Sequence, residues 1–195
     1  MKPGDEHSSV YEIINSTCPI SSKSVNEIID LVRYIEIEKQ EVFIKVNQYN
    51  SAEYFVLEGI CRSFLINPDG EEITISFFDD NSILSPYTTR TNQSRSALNF
   101  QALTAVRIAL IDASKFENLM VENLEIREFG NMVLRNELKS KIEKEIGMAS
   151  LTAKERLLRF REAYPLFENL IPHPTISSYL GITNISLSRL RKEII

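Results

Sequence analysis

The sequence predicts an α+β chain in which short strands close as a β-roll (jelly roll), followed by a long helix and a terminal helix-turn-helix. Three observations predict it. Between residues 33 and 111, apolar residues fall in short alternating runs separated by turn residues. From Ala113 onward the apolar spacing becomes helical. Near the end, residues 175–192 read TISSYLGITNISLSRLRK, with one glycine between two short amphipathic segments.

The opening MKPGDEHSSV lacks the basic-then-apolar order of a secretory signal and is read as a loose terminus carrying His7. Ser24–Tyr34 carries Val25, Ile28, Ile29, Leu31 and Val32, the pattern of a short amphipathic helix. Strands follow at Arg33–Glu38, Glu41–Val46, Tyr54–Leu57, Ile60–Ile66 and Glu72–Phe78. Asn67-Pro68-Asp69-Gly70 is a strong turn signal between the last two. Asp79–Ser96 is polar and loop-like, and Phe100–Leu103 and Val106–Ile111 return as strands. Several short strands with tight turns favour a small barrel or jelly roll over a βαβ sheet.

Helices are expected at Ser114–Glu122 and Leu124–Ile146, with Gly147 ending the longer one. Its apolar stripe includes Phe129, Val133, Leu134, Leu138 and Ile142, and it packs either on its own barrel or on a second copy. We read it as a two-fold interface, although its spacing is not a clean heptad. Thr152–Tyr164 forms a further helix, with Thr152 as N-cap and Glu155 three residues on. Pro165 stops it, and Ile171-Pro172-His173-Pro174 is a rigid linker. The chain divides into residues 1–112, a β-roll of effector type, 113–148, connecting and dimerisation helices, and 149–195, the helix-turn-helix.

In that last part the first helix runs from about Thr175 to Leu180, and Gly181 permits a tight interhelical turn. Ile182 is an apolar plug, and Thr183 or Asn184 caps a second helix over about 184–193. Leu187 and Leu190 face inward, leaving Asn184, Ser188, Arg189 and Lys192 to a partner. A DNA-reading helix needs this division between a seated apolar side and a polar, partly cationic one. An ordinary helical hairpin is the alternative. The segments at Leu157, Phe160, Leu166, Phe167 and Leu170 supply a third wall and favour the DNA-binding reading.

Charge agrees with a two-part chain. The net charge is −5, yet residues 151–195 hold seven basic and four acidic residues against fifteen and twenty-three elsewhere. With 43% hydrophobic residues and no run of membrane-spanning length, a cytoplasmic protein without membrane association is expected. Cys18 and Cys61 have no metal-ligand spacing, which fits a reducing compartment and argues against an iron–sulfur cluster. Two histidines, with no catalytic triad, P-loop or dinucleotide fingerprint, leave an enzyme or bound cofactor without support.

Taken in order, Tyr54-Phe55-Val56-Leu57-Glu58-Gly59, Asp69-Gly70-Glu71-Glu72, the LTAKERLL segment at 151–158, Ser178–Thr183 and Leu187–Lys192 resemble a Crp/Fnr-type transcription regulator, of the short Bacteroidetes-like kind. The resemblance covers most of the chain. It implies a cupin-like β-roll, a winged helix-turn-helix with a reduced wing, and a homodimer on an inverted-repeat operator in double-stranded DNA. RNA polymerase and an unidentified small-molecule effector are further partners it admits. Arg189 matches the family's base-contacting arginine, and its fork suits guanine O6 and N7. Asn184 and Ser188 share its side. Ile185 departs from the acidic residue common there, and either touches a thymine methyl or joins the core. Thr175 and Thr183 are read as caps and phosphate contacts, and Arg191 and Lys192 as backbone contacts or a solvated helix end.

Cyclic-nucleotide-binding relatives grip the ribose with a glycine-glutamate pair and the phosphate with an arginine-serine pair. Arg95-Ser96 repeats the second, and is the effector-pocket candidate. Phe78-Asp79-Asp80-Asn81 occupies the neighbourhood of the first, so a regulator that does not respond to cyclic nucleotide is the reading taken. An acidic metabolite-sensing or protein-interaction module that reads no DNA is the rival from another class.

Overall fold

The computed structural model describes residues 3–193. Helix α1 (Pro3–Thr17) replaces the loose terminus expected from sequence. Its Val10, Ile13 and Ile14 recur at helical spacing and are fully buried, so tertiary packing fixes a segment whose polar flanks concealed it. Helix α2 (Ser22–Ile29) ends earlier than expected. Ser21 caps it, and Glu125 accepts hydrogen bonds from the Ser21 and Ser24 hydroxyls at 2.5 Å each. These bonds hold the Glu125 carboxyl below its usual range.

Eight strands follow: β1 (Arg33–Ile37), β2 (Val42–Ile44), β3 (Ala52–Glu58), β4 (Cys61–Ile66), β5 (Glu72–Phe78), β6 (Ser82–Leu84), β7 (Asn99–Ala102) and β8 (Val106–Asp112). The closed β-roll, or jelly roll, expected from the strand pattern is corrected. The strands lie in two open four-stranded antiparallel sheets, ordered β1-β8-β3-β6 and β2-β7-β4-β5, and neither closes into a barrel. No strand ladder joins them among the described residues, so the faces are held by packed side chains and by the chain segments that cross from one sheet to the other. Tyr54, Val56, Cys61, Phe78, Leu84, Phe100 and Ile108 form that inner core. Alternation predicts strands but cannot show which edges pair, and here the edges stay unpaired.

The polar segment expected as loop contains β6 and the short helix α3 (Pro86–Thr89). After β8 come α4 (Ala113–Glu122) and α5 (Leu124–Ser150). The longer helix runs through Gly147, because nothing there demands a non-helical backbone. Opposite the inner core, Phe55, Leu57 and Ile111 meet α1, α2, α4 and α5 through Ile13, Ile28, Phe116, Ile126, Phe129 and Val133.

Helix α6 (Ala153–Ala163) starts on the expected capping box, with Thr152 and Glu155 exchanging hydrogen bonds. Then come α7 (Phe167–Leu170), α8 (His173–Leu180) and α9 (Asn184–Glu193). Helix α8 begins earlier than expected, since Pro172 is its N-cap residue and prolines suit a first turn. Among the described residues no strand follows β8, so the expected wing has no strand here. No helix among them is long and apolar enough to cross a membrane.

Candidate nucleic-acid interface

The three-residue turn from α8 to α9 is built on a backbone constraint. Gly181 takes φ 65° and ψ 38°, and the Ile182 N–H reaches back to the Ser177 carbonyl at 3.0 Å, closing the end of α8. A side chain at 181 would also collide with Met148, whose Cε would lie 2.6 Å from the new Cβ. Thr183 then caps α9, its hydroxyl accepting the Ser186 N–H at 3.1 Å.

Helix α9 has two faces of opposite character. Leu187 and Leu190 are buried among Leu157, Phe160, Phe167, Ile171, Ile176 and Leu180. On the other side Ile185 is 83% exposed, and Ser188, Arg189 and Lys192 are also exposed. Among the described residues Arg189 has one ion pair, a loose 3.8 Å contact with Glu193 along the helix, worth little in water. Its guanidinium is therefore available to a ligand. Ile185 resolves to the surface alternative.

Three of the expected contacts are differently placed. Thr175 is buried, 7% exposed, inside the helical packing. The Asn184 side chain accepts a hydrogen bond from the Ser177 hydroxyl at 2.6 Å, which ties the start of α9 to α8. Arg191 turns inward: its Nε pairs with Glu168 at 2.9 Å, and its Nη1 lies 2.9 Å from His173 Nε2. Arg161 holds the same Glu168 carboxylate at 2.6 Å. One acidic group thus binds α6, α7 and α9 together, a role no local motif announced.

The C-terminal helices are seated on β5. Phe77 and Phe78 are both buried though adjacent, so both faces of that strand are covered. Phe78 enters the inner core, while Phe77 meets Tyr179 at 4.9 Å, Phe167 at 5.4 Å, Tyr164 at 5.8 Å and Phe160 at 6.0 Å between ring centroids. Thr74 and Ser178 exchange hydrogen bonds across the same junction. Lys144 of α5 lies over the Tyr179 ring, 4.0 Å from its centroid, and donates to the Ile75 carbonyl at 2.5 Å. Burial, with Lys141 nearby, lowers its pKa to about 8. Burial likewise pushes the Tyr164 and Tyr179 hydroxyls up. The paired phenylalanines were the available signal for this junction, since a strand with one wet face would not place two rings side by side.

Arg156 finishes the arrangement. Its Nε donates to the Leu180 carbonyl at 2.9 Å and its Nη1 to the Leu151 carbonyl at 2.7 Å, satisfying the ends of α8 and α5.

The effector candidates do not form a pocket with one another. Arg95 donates to the Asn47 carbonyl at 2.7 Å from an exposed turn, and the buried Ser96 hydroxyl donates to the Leu98 carbonyl at 2.6 Å. Of the residues assigned to a two-fold interface, Phe129 and Val133 pack into their own chain, and Leu134 is half-buried. Leu138 and Ile142 are 62% and 46% exposed. No cluster of three or more His, Cys, Asp or Glu residues among those described could hold a metal ion.

Comparison with known proteins agrees with this architecture. Residues 34–123 match the cyclic nucleotide-binding domain family. No curated protein sequence matches significantly. Among solved structures, FixK2 from Bradyrhizobium japonicum is similar with a TM-score of 0.73 at 18% identity, covering 84% of both chains. The c-di-GMP-responsive global regulator CLP of Xanthomonas campestris gives 0.69 at 13% identity, covering 89% of this chain and 91% of its own. A Crp/Fnr-family regulator of Eubacterium rectale gives 0.70 at 15% identity, with 89% and 83% covered. The chain thus has the fold seen in Crp/Fnr-type regulators, with residues 34–123 similar to a cyclic nucleotide-binding domain.

Proposed function

We propose that the chain is a homodimeric, sequence-specific, DNA-binding transcription regulator without enzymatic activity, with α9 as its major-groove helix. The observation that carries the reading is the division of α9: Leu187 and Leu190 are seated, while Ile185, Ser188, Arg189 and Lys192 stand free on one side. The fold it shares with known regulators supports the same conclusion. Arg189 is the base reader, Ile185 is placed to meet a thymine methyl, and Lys192 and Thr183 are phosphate contacts. Arg191 serves by holding the helix at its angle, rather than by touching DNA.

Dimerisation uses the outer side of α5, where Leu138, Ile142 and Ile146 recur every fourth residue and remain exposed. Their replacement by glutamate converts the dimer to a monomer in sedimentation experiments; an unchanged mass refutes this interface. Selection of duplexes from a random library by the purified protein, followed by footprinting, tests the whole reading. We expect an inverted repeat, and Arg189→Ala weakens its binding by about 1–3 kcal/mol. Failure to enrich any duplex removes the DNA-reading function.

The regulator works without cyclic nucleotide. The space between the sheets is occupied by the rings of Phe43, Tyr54, Phe78 and Phe100, at centroid separations of 6.0 to 6.3 Å. Arg95 and Ser96 are spent on backbone carbonyls. Thermal shift with cyclic AMP and cyclic GMP is expected to be flat; a saturable rise refutes independence.

A further inference from the structure

Met120, Met132 and Met148 are the methionines among the described residues, and their surroundings differ. Met120 and Met132 are half-buried, and Met120 packs against the core shared by α1, α2, α4 and α5. Met148, near the end of α5, is 42% exposed. Despite that exposure, its side chain is seated on the α8–α9 turn. Its Cε lies 2.6 Å, and its Sδ 3.8 Å, from the point where a side chain at residue 181 would begin. The thioether therefore fills the space that Gly181 leaves.

That turn has little to spare. Gly181 holds a left-handed backbone, its N–H donates to the Ser178 carbonyl at 3.2 Å, and the Ile182 N–H donates to the Ser177 carbonyl at 3.0 Å. Met148 also lines a cavity of about 630 Å³ between α5, α6 and α8, together with Leu151, Arg156, Arg159 and Leu180. A reagent little larger than water reaches the side chain through it. Met148 lies two residues, or about 200°, round α5 from Ile146, so the proposed dimer face leaves it open.

The thiols are less favoured targets. Cys61 is fully buried, and burial pushes its thiol up, away from the reactive thiolate. Cys18 is half-buried against the helical core. A thioether has no proton to lose before it reacts, so exposure sets the order among methionines.

We propose that Met148 is an oxidation site that takes an oxygen atom from hydrogen peroxide, and that its sulfoxide loosens the α8–α9 turn. A sulfur lone pair attacks one peroxide oxygen: the S–O bond forms, the O–O bond breaks, and sulfur loses the electron pair that reduces the departing oxygen to water. The product is polar and pyramidal at sulfur where a soft apolar chain filled the gap. An oxygen turned toward Gly181 presses on the turn, and one turned into the cavity meets its arginines and draws the methyl off the glycine. This deepens the DNA-reading proposal, because the turn seats α9, but its measurements use no DNA, so either proposal can fail alone.

The full-length protein is treated with hydrogen peroxide at neutral pH, then with dithiothreitol, which reverses sulfenic and disulfide products at cysteine but leaves sulfoxide. Peptide mass mapping is expected to find sulfoxide at Met148 ahead of Met120 and Met132. Hydrogen exchange at the Gly181 and Ile182 amides, read by NMR, then rises about fivefold, the factor that about 1 kcal/mol of easier local opening gives. Methionine sulfoxide reductases restore the slow exchange. Met148→Leu, close in volume and inert to peroxide, keeps slow exchange before and after treatment. Sulfoxide forming first at Met120 or Met132 overturns the site. Unchanged exchange at the two amides once Met148 is oxidised, or an equal rise in treated Met148→Leu protein, overturns its effect on the turn.

Discussion

The two sides of the C-terminal helices differ in what their polar groups do. Where the helices meet the rest of the chain or one another, polar groups are committed: Ser178 to Thr74 of β5, Arg191 and Arg161 to Glu168, and Lys144 of α5 to the Ile75 carbonyl beneath Tyr179. On the outer side, Ser188, Arg189 and Lys192 face water. Both sides carry arginines two residues apart in sequence, so composition cannot separate them. The difference teaches that a cation's function is set by what its helix face meets. Arg191 is a strut, and Arg189 is free to bind.

Substitutions can break this contrast from either side. The largest effect is expected at the junction. Phe77→Ala removes the ring around which Phe160, Tyr164, Phe167 and Tyr179 gather, and costs about 3–5 kcal/mol in urea unfolding. On the outer side, Arg189→Ala leaves the unfolding free energy within about 0.5 kcal/mol while weakening operator binding, a separation that a purely structural role for Arg189 would not produce. Gly181→Ala strains a left-handed backbone by about 1–3 kcal/mol and presses on Met148, loosening α9 against α8 in hydrogen exchange.

A pH series sharpens the same contrast at Lys144. Its folded pKa of about 8 lies below the ordinary 10.5, so the unfolded chain holds more protons between those values. The burial penalty is full below pH 8 and is relieved as pH rises through the folded value. Stability should therefore climb by about 1–3 kcal/mol between pH 7 and 10, and Lys144→Met should abolish the climb. A slope that survives in that variant assigns the titration elsewhere. The smallest effect is Thr152→Ala, which removes one half of the α6 capping box and costs about 1 kcal/mol by thermal unfolding.

Sequence legibility followed the range of the interactions involved. The α+β class, most strand runs, the capping box at Thr152 and the two-faced α9 were readable because each rests on spacing within a dozen residues. Sheet closure was not, because alternation shows that a strand has an inner face without naming its neighbour. Helix α1 was missed although Val10, Ile13 and Ile14 have helical spacing, since three apolar residues among polar ones gain a helix only by docking. Arg191 was read as exposed because its partner, Glu168, lies twenty-three residues earlier. Thr175 was read as a cap because Pro172, the actual N-cap residue, lacks a capping side chain. Local chemistry was visible; partners across the fold were not.

The two carbonyls held by Arg156 have a mechanical meaning. Leu151 ends the long helix and Leu180 ends α8, and one rigid, planar guanidinium spans both. Rotation of the long helix about its axis, or bending at residue 151, therefore drags α8 with it unless a charge-assisted bond breaks. Arg156 acts as a linkage pin between the ends of the long helix and α8.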